Sequence, residues 1–440
     1  MKILAANPVV ELLSKLVEIP TVNDPSKGLK VGVDEAEKIG RLLREYGLET
    51  DLIVWEGTPS LLAVLGEGRP VTLFLAHFDV VPPGPGWSMT DPFKPLVTNG
   101  RLYGRGSADD KSNIAAITIA LRDYKPREGT VIIAFTGDEE VGGANGAKRI
   151  AEMLEKEGLF PDYLVNGDGS LSRIIIRRRN AFKAKISVKN EKRVTRGSKG
   201  SKSFETIIKQ RKTMHSAYFV PGVDTHAFVE ASLWLRDNEV ELVGVEGEWV
   251  KSNVLPRKVT LHYNVGGEGS VEVDEGLTRL VKSIIPIVRA PIPTEMYSDY
   301  GVSINPNMYE YKDGYHTVVL DIRAMLSSKD NIQVVLSQIL RETLDNGKLE
   351  VTGGGGYLYT SRDARIVKIA ARANASLGLN PEPIEAGGAS DSRFFSPHGV
   401  EAVDYGPLGY NIHGPDEHVV IENLVKSVEF YRRLAEEIHG

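Results

Sequence analysis

The sequence predicts an α/β fold: a mostly parallel sheet covered by helices on both faces, with a smaller α+β domain inserted into it. Three observations point there. Short β-type runs alternate with helical stretches over residues 1–180, the alternation fails over 181–355, and helical periodicity returns over 356–440. Strands separated by helices of about 10 to 15 residues form βαβ units, which place a parallel sheet between two helical layers. A chain of 440 residues with 41% apolar content has room for more than one core, since domains usually run ~100 to 200 residues.

In chain order, "PVVELLSKLVEI" and "DEAEKIGRLLREYG" repeat apolar residues at helical spacing, and the second stops at Gly47, a residue that ends helices readily. "TDLIVW", "SLLAVLG" and "VTLFLA" are short β-type runs. A helix follows in "SNIAAITIALRDY", a buried strand in "GTVIIAFTG", a helix in "GANGAKRIAEMLEKEG" and a strand in "DYLVNG". The insertion carries a helical "AFVEASLWLRDN" and the β-like "RKVTLHYNVG" and "HTVVLDIRAML". Gly353 to Gly356 make a flexible junction, after which "DARIVKIAARANASLG" and "VIENLVKSVEFYRRLAEEIHG" read as helices.

Composition excludes several classes. Cysteine is absent, so disulfides and thiolate chemistry are ruled out, and His, Asp and Glu are left to hold any metal. No apolar run approaches the ~18 residues of a spanning helix, and the opening residues lack a small-residue cleavage site. A cytoplasmic protein with no membrane partner is expected. The formal charge is -6, yet Arg173 to Lys212 holds fifteen Lys and Arg against two acids, Glu191 and Glu205. Such a block can bind a polyanion. With "TRGSKGSKS" inside it, a solvated mobile loop is the plainer expectation, and nucleic acid is not the expected partner.

Ionisable residues stand at the ends of successive strands. His77 and Asp79 follow "VTLFLA", Glu139 and Glu140 follow "GTVIIAFTG", and Asp168 follows "DYLVNG". In open α/β sheets, ligands bind in the crevice at the carboxyl ends of the strands. Asp109, in "GRGSADDKS", precedes a helix beside the same edge. Carboxylates crowded into one crevice raise one another's pKa unless a cation compensates. One or two divalent metals would do so, and imidazole with carboxylate suits a catalytic zinc. Asp79, two residues from His77, is placed to orient that imidazole. Singly, each cluster has a plainer reading: a hydrogen-bonded pair at His77, an acidic first helical turn in "DEE", a helix cap at Asp109 and Asp110, a turn at Asp168. Their joint occurrence, in order, favours the metal.

These segments resemble the cocatalytic dinuclear zinc deacylases and exopeptidases, the family of succinyl-diaminopimelate desuccinylase, acetylornithine deacetylase, aminoacylase and the carboxypeptidase G type. "HFDVVP", "GRGSADDKS", "DEEVGG", "GGASDSRFF" and "IHGPDE" match five of its motifs in order. The resemblance implies a catalytic domain in two parts, 1–180 and 356–440, around a lid and dimerisation domain, 181–355. It implies two divalent ions, zinc first, with cobalt or manganese as alternatives. His77 and Asp168 would bind one ion, Glu140 and His413 the other, and Asp109 would bridge both. Glu139 would be the general base for an activated water, with Asp79 supporting His77. "TMHSA" implies that His215 reaches the active site of the other protomer in a homodimer and stabilises the oxyanion, while Asn253 in "SNVLP" and Arg393 in "SDSRFF" hold the substrate carboxylate. His226, His262, His316, His398, His418 and His439 match no motif.

The chain departs from the family in three places. "GDGS" stands where Glu-Pro is common, which makes the shorter Asp168 the ligand. The basic stretch ahead of "HSA" is long, and a second insertion follows Asn253. The function implied is hydrolysis of an N-acyl amino acid. A dipeptidase or carboxypeptidase using the same site is the alternative, and a polyanion binder with a vestigial metal site is a third reading.

Overall fold

The run Val71–His77 is apolar at nearly every position and forms a strand buried along its whole length, as does Gly129–Thr136. Strands of this kind are covered on both faces. The computed structural model describes residues 7–209, 213–344 and 346–440. The chain divides into two compact units: the first runs to Arg178 and resumes over Tyr357–Ala386 and Ser390–Gly440, and the second holds Arg179–Gly356 with Gly387–Ala389.

The first unit is built on a nine-stranded sheet. Its order is Asp51–Trp55, Thr58–Glu67, Gly129–Thr136, Val71–His77, Tyr163–Asn166, Glu401–Asp404, Ile175–Arg178 and Leu358–Tyr359, with Ile384–Ala386 also beside Ile175–Arg178. Pairing is parallel from Gly129–Thr136 through Glu401–Asp404. On one side Thr58–Glu67 is antiparallel to both neighbours, and on the other Ile175–Arg178 is antiparallel to Glu401–Asp404 and Leu358–Tyr359. The expected mostly parallel sheet is therefore corrected to a mixed one, parallel in its middle. The reason is local on one side. Glu56 and Gly57 take φ of +49° and +74° between Trp55 and Thr58, the two-residue turn that closes a hairpin and forces antiparallel pairing.

Alternating side chains of the central strands feed two cores. Phe74, Ile133, Phe135 and Val165 pack with the helices Pro8–Val17, Val33–Glu45, Lys111–Leu121, Arg365–Ser376 and Ile421–His439. Leu73, Leu75, Ile132 and Leu164 pack with Ala147–Lys156. The first helix starts where its chemistry says it should: the Asn7 side chain accepts the Val9 N–H, and Pro8 fills a position whose N–H would go unused. Among the described residues no helix is long and apolar enough to cross a membrane.

The second unit holds an antiparallel sheet in the order Ser303–Lys312, Tyr315–Ala324, Asn180–Lys189, Lys348–Gly353. It also has a three-stranded sheet of Lys199–Glu205, Lys258–Asn264 and Leu242–Gly247, and a pair of Lys192–Arg196 with Ser270–Asp274. The basic block expected to be a mobile loop is strand for most of its length. In Asn180–Lys189, Phe182, Ala184, Ile186 and Val188 are buried while Lys183, Lys185 and Lys189 are exposed, the period-two pattern of a strand with one wet face. Further along, Lys192 pairs with Glu272 at 2.9 Å, Arg193 with Glu241, and Arg196 with Glu268 at 3.7 Å, so acids elsewhere in the unit offset part of the charge. The end of the block, residues 210–212, lies outside the described residues.

Candidate active site

The strand Val71–His77 ends on a buried histidine whose ring is fixed by the next turn. His77 Nδ1 lies 3.0 Å from the Asp79 backbone oxygen and 3.4 Å from its carboxylate. A carbonyl only accepts, so Nδ1 carries the hydrogen and Nε2 is left for a ligand. Nε2 faces Asp109 Oδ1 at 3.1 Å. The buried Asp79 carboxylate also accepts the Glu139 and Glu140 backbone N–H groups at 3.1 Å each, and the Asn23 amide at 2.8 Å. It thus ties the end of one parallel strand to the loop after its neighbour, Gly129–Thr136.

Asp109 precedes the helix Lys111–Leu121. Its neighbour Asp110 serves the scaffold: it accepts the His77 N–H at 3.1 Å and the Asn113 amide at 2.5 Å, joining strand end to helix start. His413 comes from the loop ahead of His418–Val420 with φ of +62°, a strained backbone state of the kind retained at functional sites. His413 Nε2 lies 3.1 Å from Asp109 Oδ2 and 3.1 Å from Glu140 Oε1. The two oxygens of Asp109 therefore face two different imidazoles. Asp109, Glu140 and His413 offer donor atoms that all lie within 4.8 Å of one another.

Charge is crowded here. Burial pushes Glu139 well above the usual carboxylate range, and Asp168 and Asp391 push it the same way. Glu140 is raised by burial and by Asp109. Asp168 is raised well above its ordinary value by burial, which outweighs the opposing Arg178, and Asp391 is raised to about 7 by burial. Asp109 goes the other way: burial opposes, but His413 and His77 hold it below its ordinary value. Burial alone would lower both imidazoles, yet Asp109 and Asp79 hold His77 well above its usual value, and Asp109 and Glu140 hold His413 up to about 11. More carboxylates are crowded here than two imidazolium rings neutralise, and a divalent cation among them would supply the missing compensation. The donor set, imidazole and carboxylate without thiolate, fits such an ion.

The remaining expected residues are placed as follows. Asp168 follows Tyr163–Asn166, outside the tight group of three; its carboxylate is 3.8 Å from Arg178, which also donates to the Asp168 backbone oxygen and to Asp404 at 2.5 Å. Arg393 donates to the Gly142 oxygen at 2.9 Å and to Asp391 at 3.2 Å, bracing the loop after Glu140. His215 and Asn253 belong to the second unit, where a bridge between His215 and Val254 brings "HSA" and "SNVLP" together. There His215 Nδ1 accepts the Ala217 N–H at 3.1 Å, and the Asn253 amide lies 3.3 Å from Nε2. Sequence reasoning missed Asn23 and Arg178, and read Asp110 only as a helix cap. Only Asp110 carried a signal, as the second acid of "ADD".

The profile of Peptidase family M20/M25/M40 matches residues 73–437. The chain belongs to this family. As an M20 member it is a hydrolytic enzyme. It is 26% identical over 447 residues to the succinyl-diaminopimelate desuccinylase of Xylella fastidiosa (strain M23), with 98% of each chain covered. Among solved structures it resembles the aminoacylhistidine dipeptidase from Vibrio alginolyticus, with a TM-score of 0.73 at 17% identity, covering 99% of this chain and 98% of that one. It also resembles the M20 family metallo-carboxypeptidase Sso-CP2 from Sulfolobus solfataricus, with a TM-score of 0.62 at 17% identity over 98% and 99%. At such identities the two structures speak for the fold alone.

Proposed function

We propose that this M20 chain is a metal-dependent amidohydrolase that splits the amide of an N-acyl amino acid, with Glu139 as general base. The observation that carries the reading is Asp109, whose two oxygens face His77 and His413 separately at 3.1 Å, as a carboxylate shared by two ions would. His77, Asp109 and Asp168 would hold one ion, and Asp109, Glu140 and His413 the other. Bound there, divalent ions acidify a water and polarise a carbonyl oxygen; zinc is the first choice, with cobalt or manganese as alternatives.

The chain's own groups do the rest. Asp79 keeps Nδ1 of His77 occupied, so that Nε2 points to the ligand side. It also pins the Glu139 backbone at 3.1 Å beside the cluster. Glu139, outside the ligand set, takes the proton from the attacking water and returns it to the departing amine. On the resemblance of their motifs, Asn253 and Arg393 hold the substrate carboxylate, and His215 stabilises the oxyanion across a homodimer. The 26% identity to a desuccinylase over nearly all of both chains supports an acylated amino acid as substrate.

The test is an assay of the metal-reconstituted chain against N-succinyl and N-acetyl amino acids and dipeptides, with bound metal measured in parallel. Preferential turnover of the acyl amino acids supports the reading. Turnover of dipeptides alone replaces the deacylase with a peptidase, and no hydrolysis at full metal loading removes both.

A further inference from the structure

Two buried charged side chains behind the ligand cluster take no part in the chemistry above. Arg105 is 1% exposed and Glu417 0%. They form an ion pair through Arg105 Nη1 and Glu417 Oε2. Desolvating two ions commonly costs as much as their attraction returns, so stability alone is a poor reason for the pair.

The other hydrogen bonds of Glu417 say what the pair holds. Its Oε1 accepts the backbone N–H of Ala108 at 2.9 Å and of Asp109 at 3.1 Å. Its backbone oxygen accepts the Gly104 N–H at 2.9 Å and the Ser107 hydroxyl at 3.2 Å. Arg105 is itself steadied, with Nη2 donating to the Pro83 oxygen at 3.4 Å and the guanidinium 5.5 Å from the Trp87 ring centre. Glu417 directly precedes His418–Val420, the strand that pairs with Arg101–Tyr103 just ahead of the loop carrying Asp109. One residue thus sits on the segment that delivers His413 and grips the backbone that delivers Asp109.

We propose that Glu417, set by Arg105, is a positioning residue that fixes Asp109 in register with His413 so that both close on one ion. This rests on the two-ion reading of the site. With the peptide N–H groups of Ala108 and Asp109 held by Glu417, the Asp109 backbone is fixed where its carboxylate reaches the two imidazoles. Partners standing behind metal ligands in this way typically change metal affinity by about 10- to 100-fold.

The test is the Zn2+ affinity of the metal-free full chain, measured by competition with a chromophoric chelator and alongside thermal unfolding of the same samples. Two double variants separate positioning from folding. Arg105→Met with Glu417→Gln removes both charges and keeps an oxygen for the two N–H groups; Arg105→Met with Glu417→Leu removes that acceptor too. The Gln double should stay within about threefold of wild type, and the Leu double should bind Zn2+ about 10- to 100-fold more weakly. Equal affinity in the two doubles, or losses that simply follow their unfolding temperatures, overturns the proposal. Should the Leu double fail to fold, amide exchange in the metal-free wild type decides. The Ala108 and Asp109 amides should exchange as slowly as those of His418–Val420, and exchange at the rate of an open loop overturns the proposal. A wild type that binds no Zn2+ sinks the two-ion reading and this proposal with it. Equal doubles on a wild type that does bind Zn2+ sink the proposal alone.

Discussion

The buried histidines of the second unit and the two at the ligand cluster of the first are held in opposite ways. In the second, the buried rings of His226 and His316 each have their own partners. His226 Nδ1 accepts the Phe228 N–H at 3.1 Å, capping the helix Ala227–Asn238, and its other nitrogen meets Asn307 Oδ1 at 3.1 Å. His316 stands between the Tyr309 hydroxyl and the Asp274 carboxylate, 2.8 Å from each, and Asp274 caps Glu275–Val288. In the first unit, His77 and His413 converge on the single carboxylate of Asp109, while Glu139, Glu140 and Asp168 are raised around them. Buried groups with private partners hold helices in place. Groups at the ligand cluster that must share partners leave a charge unbalanced, and that imbalance marks a site for chemistry.

The contrast is broken most directly by taking the metal away. Stripping divalent ions with a chelator should drop turnover to background, and Zn2+ should restore it. Turnover persisting in a chain shown to be metal-free would make the first cluster as structural as the second. Next comes Glu139→Gln, which should leave metal content unchanged and lower kcat by at least ~10²-fold. A metal-replete variant with near-normal turnover would remove Glu139 from its role.

The second unit gives a smaller effect with a defined sign. Burial pushes His226 down to about 4, against the opposing bond to Asn307. The folded value lies below that of the unfolded chain, so the stability due to the neutral ring is complete above about pH 6.5 and is lost as pH falls from there toward 4. The loss is about 3 kcal/mol, at ~1.4 kcal/mol per unit. His226→Gln should therefore flatten the pH dependence of urea unfolding across that window, whereas parallel curves for variant and wild type would show that the ring is not held neutral. Smallest of all is the surface pair Lys192–Glu272, 2.9 Å long and about half exposed. Glu272→Ala should cost less than ~1 kcal/mol in the same unfolding assay, and a larger loss would mean that the basic strands depend on their ion pairs.

Much of this was legible in the sequence, for identifiable reasons. "VTLFLA" and "GTVIIAFTG" are mostly apolar runs without polar alternation, and such runs belong to the parallel middle of a covered sheet. The ionisable residues that follow them could therefore be placed at one edge before any coordinates. The antiparallel hairpin at that sheet's edge was hidden because its turn is Glu56-Gly57, without the Asn-Gly or Asp-Gly signature of a positive-φ turn. The basic block misled through its Gly and Ser content, although "AFKAKISVK" already carried the alternation of Phe182, Ala184, Ile186 and Val188. Asn23, which holds Asp79 from 56 residues away, had no pattern in the chain to announce it.

The central claim is that one carboxylate serves two ions. Metal content of the intact chain, measured by native mass spectrometry after Zn2+ saturation, tests it against Asp109→Asn. Two ions per wild-type chain, and at most one in the variant, is the expected result. A variant that still holds two ions as tightly as wild type, or a wild type that never holds more than one, would contradict it.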